Sequence, residues 1–371
     1  MSSLAKLPMN SNVASTSSTT SSQAQLLALP YPVYFVFGES GIWDDLMNQE
    51  MPPPVEEVYS RFRGASDAWG PQTYIQLKRR GLDVRFVSEF IPNQICVTTY
   101  EHLKIRARPY SSYVVCCRHD RGRPEICEQR VVQNALNLVD ETDHLMPLWP
   151  QPCLQPRDAS RQATVKNLVF KGRSIYLAKP FRSPKFLAAL QDLGIQFKSS
   201  PEDAVEAYKF WTDYTDADVV IAVRNCTEYD LSIKPPSKLV NAWMAGTPAI
   251  LGPEPAYQNL RESELDYFEV HSPEEAIAAL KRLKEEPGLY QAMVENGLRR
   301  AQDFTTDRTS EKWRNLLAGP VADGYERWLA QSTFQKKVAR PLKFGIRCFK
   351  HKQEKQKFFR NINHGSRPFA E

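Results

Sequence analysis

The residues best suited to chemistry lie in Lys234-Pro-Pro-Ser-Lys-Leu-Val-Asn-Ala-Trp-Met-Ala-Gly-Thr-Pro-Ala-Ile-Leu-Gly-Pro253. Pro235 and Pro236 stop any preceding element, and Ser237 is the expected N-cap of a helix. Leu239, Val240, Trp243 and Met244 give that helix one apolar face, which Gly246 terminates ahead of a buried strand. Lys238 and Asn241 stand three apart on the other face. Free N–H groups, the positive end of the helix dipole and a lysine together suit a diphosphate, with Asn241 in reach of a ribose hydroxyl. An ordinary capped helix in a parallel sheet carries the same pattern, so both readings are open at this point.

Arg224 is a second cation of interest, because it directly follows the apolar run Asp218–Val223. Ligands of open parallel sheets bind outside the carboxyl ends of the strands, where an arginine can grip phosphate bidentately. A surface salt bridge is the alternative. Upstream, the run Tyr113–Cys117 leads into Arg118-His119-Asp120-Arg121-Gly122-Arg123. His119 and Asp120 are both of the right type to deprotonate a hydroxyl. The structural alternatives are a satisfied loop histidine and an ion pair of Asp120 with Arg118 or Arg121. Gly38-Glu39-Ser40-Gly41 allows close approach to the backbone but is too short for a phosphate-cradling loop. Asp216-Ala-Asp218 falls at the start of a strand, the wrong end for a metal site, and no metal is expected.

Such residues need parallel sheets to position them. From Pro32 to about Ala330 short apolar runs alternate with amphipathic stretches, which indicates an α/β protein. Strands are expected at Val33–Phe37, Asp83–Val87, Tyr113–Cys117, Asn167–Phe170, Asp218–Val223, Pro248–Leu251 and Tyr267–Val270. Helices are expected from about Pro71 to Arg80, Pro124 to Leu138, Ser183 to Leu193 and Ser237 to Ala245. A Pro- and Trp-rich loop from Pro147 to Pro156 divides the alternation, with Trp149 packing a hinge. The divisions are a Ser/Thr-rich disordered tail over 1–28, a doubly wound N-terminal half over 30–160, a doubly wound C-terminal half over 165–318 and a basic tail over 331–371.

The helix–Ala-Gly-Thr-Pro–strand segment resembles the C-terminal half of GT-B glycosyltransferases, which commonly carry Glu-Ala-Met-Ala-x-Gly-x-Pro there. Ser237-Lys238-Leu239, Asn241-Ala242 and Pro248-Ala-Ile-Leu-Gly-Pro253 are also similar to the fucosyltransferase-type donor motif. The resemblance, over about residues 165–318, implies two Rossmann-like halves facing a cleft, an acceptor domain over 30–160 and a nucleotide-sugar donor domain over 165–318, with sugar transfer from a nucleotide-diphosphate sugar to an acceptor hydroxyl. It implies that Lys238 contacts the diphosphate without a metal or further cofactor, and it sets Asn241 where many retaining enzymes have a ribose-binding Glu. Gly172-Arg173 stands at the place of a Gly-Arg turn that holds donor phosphates, which makes Arg173 a candidate and Lys179, one residue too far on, a weaker one. The acceptor is a glycan, a lipid-linked group or a protein. A GT-B-type nucleotide-sugar epimerase and a non-catalytic sugar-binding or membrane-associated scaffold are the rival functions.

The 371 residues suit two domains with tails, and the longest apolar runs are far too short to span a bilayer. Seven scattered cysteines without a CxxC pair fit a reducing compartment, so a cytoplasmic location is expected. Charge is concentrated between Gln331 and Arg360, where ten basic residues face Glu354 alone and phenylalanines are interleaved. A solvated tail and a peripheral contact with an anionic membrane are both compatible with this. Nucleic acid is not an expected partner, since no recognition motif accompanies the charge.

Overall fold

A computed structural model describes residues 25–38, 41–201 and 204–369. Most of the N-terminal stretch expected to be disordered, and Glu39 and Ser40 of the glycine-flanked turn, lie outside the described residues. The first sheet has six strands: β1 Val33–Val36, β2 Val84–Val87, β3 Ile95–Thr99, β4 Tyr113–Cys117, β5 Gln129–Val132 and β6 Asp143–Leu145. Their order is β2-β1-β3-β4-β5-β6, and every pairing is parallel. The second sheet has five: β7 Asn167–Arg173, β8 Gln196–Ser200, β9 Val219–Ala222, β10 Ala249–Leu251 and β11 Phe268–Glu269. Its order is β11-β10-β9-β7-β8, again all parallel. The expected α/β class with two parallel sheets is what the chain forms. Strands such as β4 and β9 are buried along their whole length, which is why they read as continuous apolar runs. In each sheet the order reverses at one place, between β1 and β3 and between β7 and β9. Ligands of such sheets sit outside the carboxyl ends at that switch point.

Two helices position the site. The first, α1, spans Glu228–Ile233 and follows β9. The second, α2, spans Ser237–Ala245 and ends at Gly246, whose φ of 66° is the left-handed value a helix stop requires. Ser237 is not its N-cap. Pro236 holds that position, Ser237 is the first helical residue, and no side chain caps the helix.

The C-terminal third departs from expectation. The helix α3, Thr306–Leu316, falls within the span expected for the donor half, yet Trp313, Leu316 and Leu317 are buried in the core of the first sheet. The helix α4, Ala322–Leu329, joins them there through Val321, Tyr325 and Trp328 at its start and along its length. It packs so closely that a Cβ on Gly324 would clash with the Tyr113 hydroxyl. The basic tail is then not a tail. Residues from Arg340 to His364 form a helix, α5, which docks Phe344 and Cys348 beside Val114, Cys116 and Cys127 and pairs Arg347 with Glu128 at 2.6 Å. Its Phe358 packs edge-on to Tyr229, after which Ser366 accepts from the Glu228 amide at 2.8 Å and Phe369 reaches the second core. The apolar side chains interleaved with the lysines explain this: they give the helix a face to bury. The segment therefore straps the two halves together.

A second correction concerns 124–138, expected to be a helix. It contains β5, whose four residues are all buried, because Arg130 and Gln129 are satisfied inside by Pro124, Tyr113 and Thr142. The crossing between halves begins early, since Gln155 and Arg157 already bond to Thr212 and Ala245 of the second half. Trp149 is buried in the first core and donates to Thr73 Oγ1 at 2.8 Å, a packing role.

Candidate active site

The switch point of the second sheet lies between the ends of β7 and β9, and the two strongest cationic candidates meet there. Lys238, in the first turn of α2, donates its Nζ to the Lys171 carbonyl at the end of β7 and lies 5.3 Å from the Phe170 ring centre. Burial pushes its ammonium down to about 7, and the neighbouring Arg224 pushes the same way. Arg224 follows β9 and is gripped by Glu254, with Nε to the two carboxylate oxygens at 2.8 and 3.0 Å and Nη2 to Oε2. Glu254 is only 2% exposed and Arg224 11%, so this is an interior ion pair in contact with Tyr257. Two cations with one carboxylate leave the site one positive charge in excess when Lys238 is protonated. An anion is the complement it lacks.

Across from it stand the carboxyl ends of β4 and β5. His119 Nε2 meets Glu101 Oε2 at 2.5 Å, and Arg121 Nε meets Glu101 Oε1 at 2.7 Å. Burial works to raise the Glu101 carboxyl, but the bonds from His119 and Arg121 overcome it and hold it down at about 2. His119 is 3% exposed, adopts a φ of 39°, and its buried Nδ1 has no hydrogen-bond partner among the described residues. A left-handed non-glycine residue stores strain of the kind that gathers at functional sites. Asp120 is differently placed, with Oδ1 taking Gln133 Nε2 at 2.5 Å and Oδ2 taking Lys234 Nζ at 2.9 Å. Burial opposes its ionisation, yet Lys234 holds its pKa below the ordinary aspartate value.

The Asp120–Lys234 pair also joins the halves. Lys234 links α1 to α2, and around it Gln133, Asn134 and Asn137 donate to the carbonyls of Ile233, Lys234 and Ser232 at 2.9–3.2 Å. The carboxyl ends of the two sheets therefore meet, with Lys238, Arg224 and Ser237 on one side and His119 and Asp120 on the other.

The remaining candidates sit apart. Asn241 hydrogen-bonds the buried Tyr214 hydroxyl. Arg173 is exposed at the end of β7, where it stacks on Tyr176 and donates to its hydroxyl at 2.6 Å. Lys179 is likewise exposed. Asp218 is held at the amino end of β9 by Arg157 and Arg161 at 2.9 and 2.7 Å.

Sequence reasoning missed Glu101, His102, Lys171, Lys234 and Glu254. His102 stacks on Phe37 with ring centres 3.8 Å apart, beside Gly38, and its buried Nδ1 also lacks a partner among the described residues. Glu101 and His102 follow β3, so recognising the β-branched run Ile95–Thr99 as a strand would have found both. Glu254 stands just past β10, in Gly252-Pro-Glu254, where the same rule would have found it. Lys171 is structural: its Nζ sits 4.3 and 4.4 Å from the Phe210 and Tyr214 ring centres and donates to two carbonyls, and burial pushes it down to about 8.

No family model matches the chain, and no curated protein does. Among solved structures it is similar to a sucrose-phosphate synthase from Thermosynechococcus elongatus, at 13% identity and a TM-score of 0.48 over 81% of this chain and all of that one. It is similar to Anabaena HepE in complex with UDP and glucose, at 12% identity and 0.48 over 78% of this chain and 100% of that one. AviGT4, a glycosyltransferase involved in avilamycin A biosynthesis, gives 12% and 0.46 over 82% and 99%. Similarity at this level assigns no activity.

Proposed function

We propose that this chain is a GT-B-type glycosyltransferase that moves a sugar from a nucleotide-diphosphate sugar to an acceptor hydroxyl. The observation that carries the reading is the buried Lys238–Arg224 cluster at the switch point of the second sheet, close to the Asp120–Lys234 pair that joins the carboxyl ends of the two sheets. The diphosphate sits against Lys238 and the first turn of α2, where the helix dipole and the ammonium offset the charge growing on the departing phosphate. Arg224, neutralised by Glu254, fixes the wall of the site beside Lys238. The acceptor hydroxyl approaches from the first sheet. His119, oriented by Glu101 through Nε2, takes its proton as the bond to the sugar forms, at an Nδ1 that acceptor binding must first uncover. Asp120 serves to hold Lys234, and with it the approach of the halves.

Proton uptake gives a test of the donor site. The folded-state pKa of Lys238 lies below the ordinary lysine value, so at about pH 8 the free protein carries it largely neutral. A bound diphosphate favours the ammonium. Binding at that pH therefore takes up roughly one proton, and affinity falls by up to about tenfold per pH unit above 7. Calorimetric titration of uridine and guanosine diphosphates in buffers of different ionisation enthalpy reads both. Lys238→Met abolishes the uptake and weakens binding by about ten- to a hundredfold, the range for a charge-assisted hydrogen bond. Binding without uptake, or unchanged affinity in the folded variant, removes Lys238 from the donor site.

A further inference from the structure

Packing accounts for only one face of α5. Phe344, Arg347, Cys348, His351 and Phe358 turn inward, against the first half and Tyr229. The opposite side leaves Phe334, Leu342, Ile346 and Phe349 between 62 and 68% exposed, with Val338 also exposed. Their spacing of four, four, four and three residues sets all five in a single row along the helix and the turn leading into it. Lys336, Lys337, Lys343, Lys350, Lys352 and Arg360 are exposed around this row. The single acidic residue of the stretch, Glu354, is already paired with Lys357 at 3.7 Å.

A nucleic acid would use the lysines and leave the apolar row in water. An anionic bilayer surface uses both, because acyl chains take Leu342, Ile346 and Phe349 while acidic headgroups take the lysines. No described helix is long and apolar enough to cross a membrane. We infer that α5 lies flat on an anionic lipid surface, its outer apolar row in the headgroup boundary and its inner face fixed to the protein. Two functions thus share one helix: strapping the halves together on one side and holding the molecule to a membrane on the other. The inference does not depend on the reaction proposed above.

Co-sedimentation of the full chain tests it, with phosphatidylcholine vesicles prepared with and without phosphatidylserine. The protein should sediment with the anionic vesicles and remain free of the neutral ones. Binding should weaken with salt, because exposed charges are screened within about 8 Å at physiological ionic strength. Leu342→Glu/Ile346→Glu/Phe349→Glu should lose at least about tenfold in vesicle affinity while its melting temperature is unchanged, because the three side chains project into water. Lys343→Ala/Lys350→Ala should lose about 25-fold, each lysine contributing about fivefold near an anionic surface; this variant carries the test if the triple one melts early. Vesicle binding equal to wild type in either folded variant overturns the inference. So does equal binding to neutral vesicles, tighter retention on duplex DNA than on anionic vesicles, or a protein dimer that the triple variant dissolves.

Discussion

Replacing Arg224 by alanine is expected to cost about 3–5 kcal/mol of folding stability, because it strands a buried carboxylate. Glu254 is 2% exposed and receives hydrogen bonds from both Nε and Nη2 of Arg224. With the guanidinium gone it must either protonate or draw water into the interior. Removing both charges should behave differently. Arg224→Ala/Glu254→Gln keeps a polar amide where the carboxylate was and should regain most of the lost stability, since the penalty belongs to the unpaired charge rather than to the pair. Thermal melts of the two variants separate these cases. An Arg224→Ala variant as stable as wild type would mean that Glu254 has another counter-charge and that the pair is not the keystone of the second sheet's switch point.

The largest expected effect on turnover belongs to His119. Removing a general base typically costs 10²–10⁴-fold, and His119→Ala should lose about that much while retaining nucleotide binding. Glu101→Gln should produce a smaller loss and shift the pH profile, because it leaves the imidazole in place but removes the carboxylate on Nε2. Asp120→Asn should stay within a few-fold of wild-type turnover. Both of its oxygens are engaged by Gln133 and Lys234, and Lys234 keeps its pKa low, which makes it a poor proton acceptor near neutrality. A full loss in Asp120→Asn with near-normal rates in His119→Ala would reverse the assignment of the base.

Much of this was legible in the chain because the informative signals were local. Tyr113–Cys117 and Ser237–Ala245 have the bounds read from their apolar patterns, since a fully buried strand and an amphipathic helix announce themselves within a few residues. The carboxyl-end rule then led directly to His119, Asp120 and Arg224. What was lost depended on distant partners. The Pro124–Leu138 stretch has helix-compatible spacing, but parallel pairing of Gln129–Val132 with β4 and β6 overrides it. Glu254 gains meaning only because the fold brings it to Arg224, thirty positions away. The docking of the strap was illegible for the same reason. Its charge density is compatible with a solvated tail or a membrane contact and gives no sign that Phe344, Cys348 and Phe358 pack against residues more than a hundred positions away. Asn241 and Arg173 followed from motif position, and their partners are Tyr214 and Tyr176.

The central claim is that the meeting ends of the two sheets transfer a sugar from a nucleotide donor. Incubating the purified full chain with a panel of nucleotide-diphosphate sugars, without and then with acceptor hydroxyls, tests it most directly. The account predicts slow release of free sugar and nucleoside diphosphate from one donor without acceptor. With acceptor present it predicts faster diphosphate release matched by glycosylated product, and His119→Ala should suppress the transfer. An epimerase would instead return an isomerised sugar whether or not an acceptor is present. A donor that binds but is never cleaved, with or without acceptor, would contradict the account and leave a sugar-nucleotide-binding scaffold.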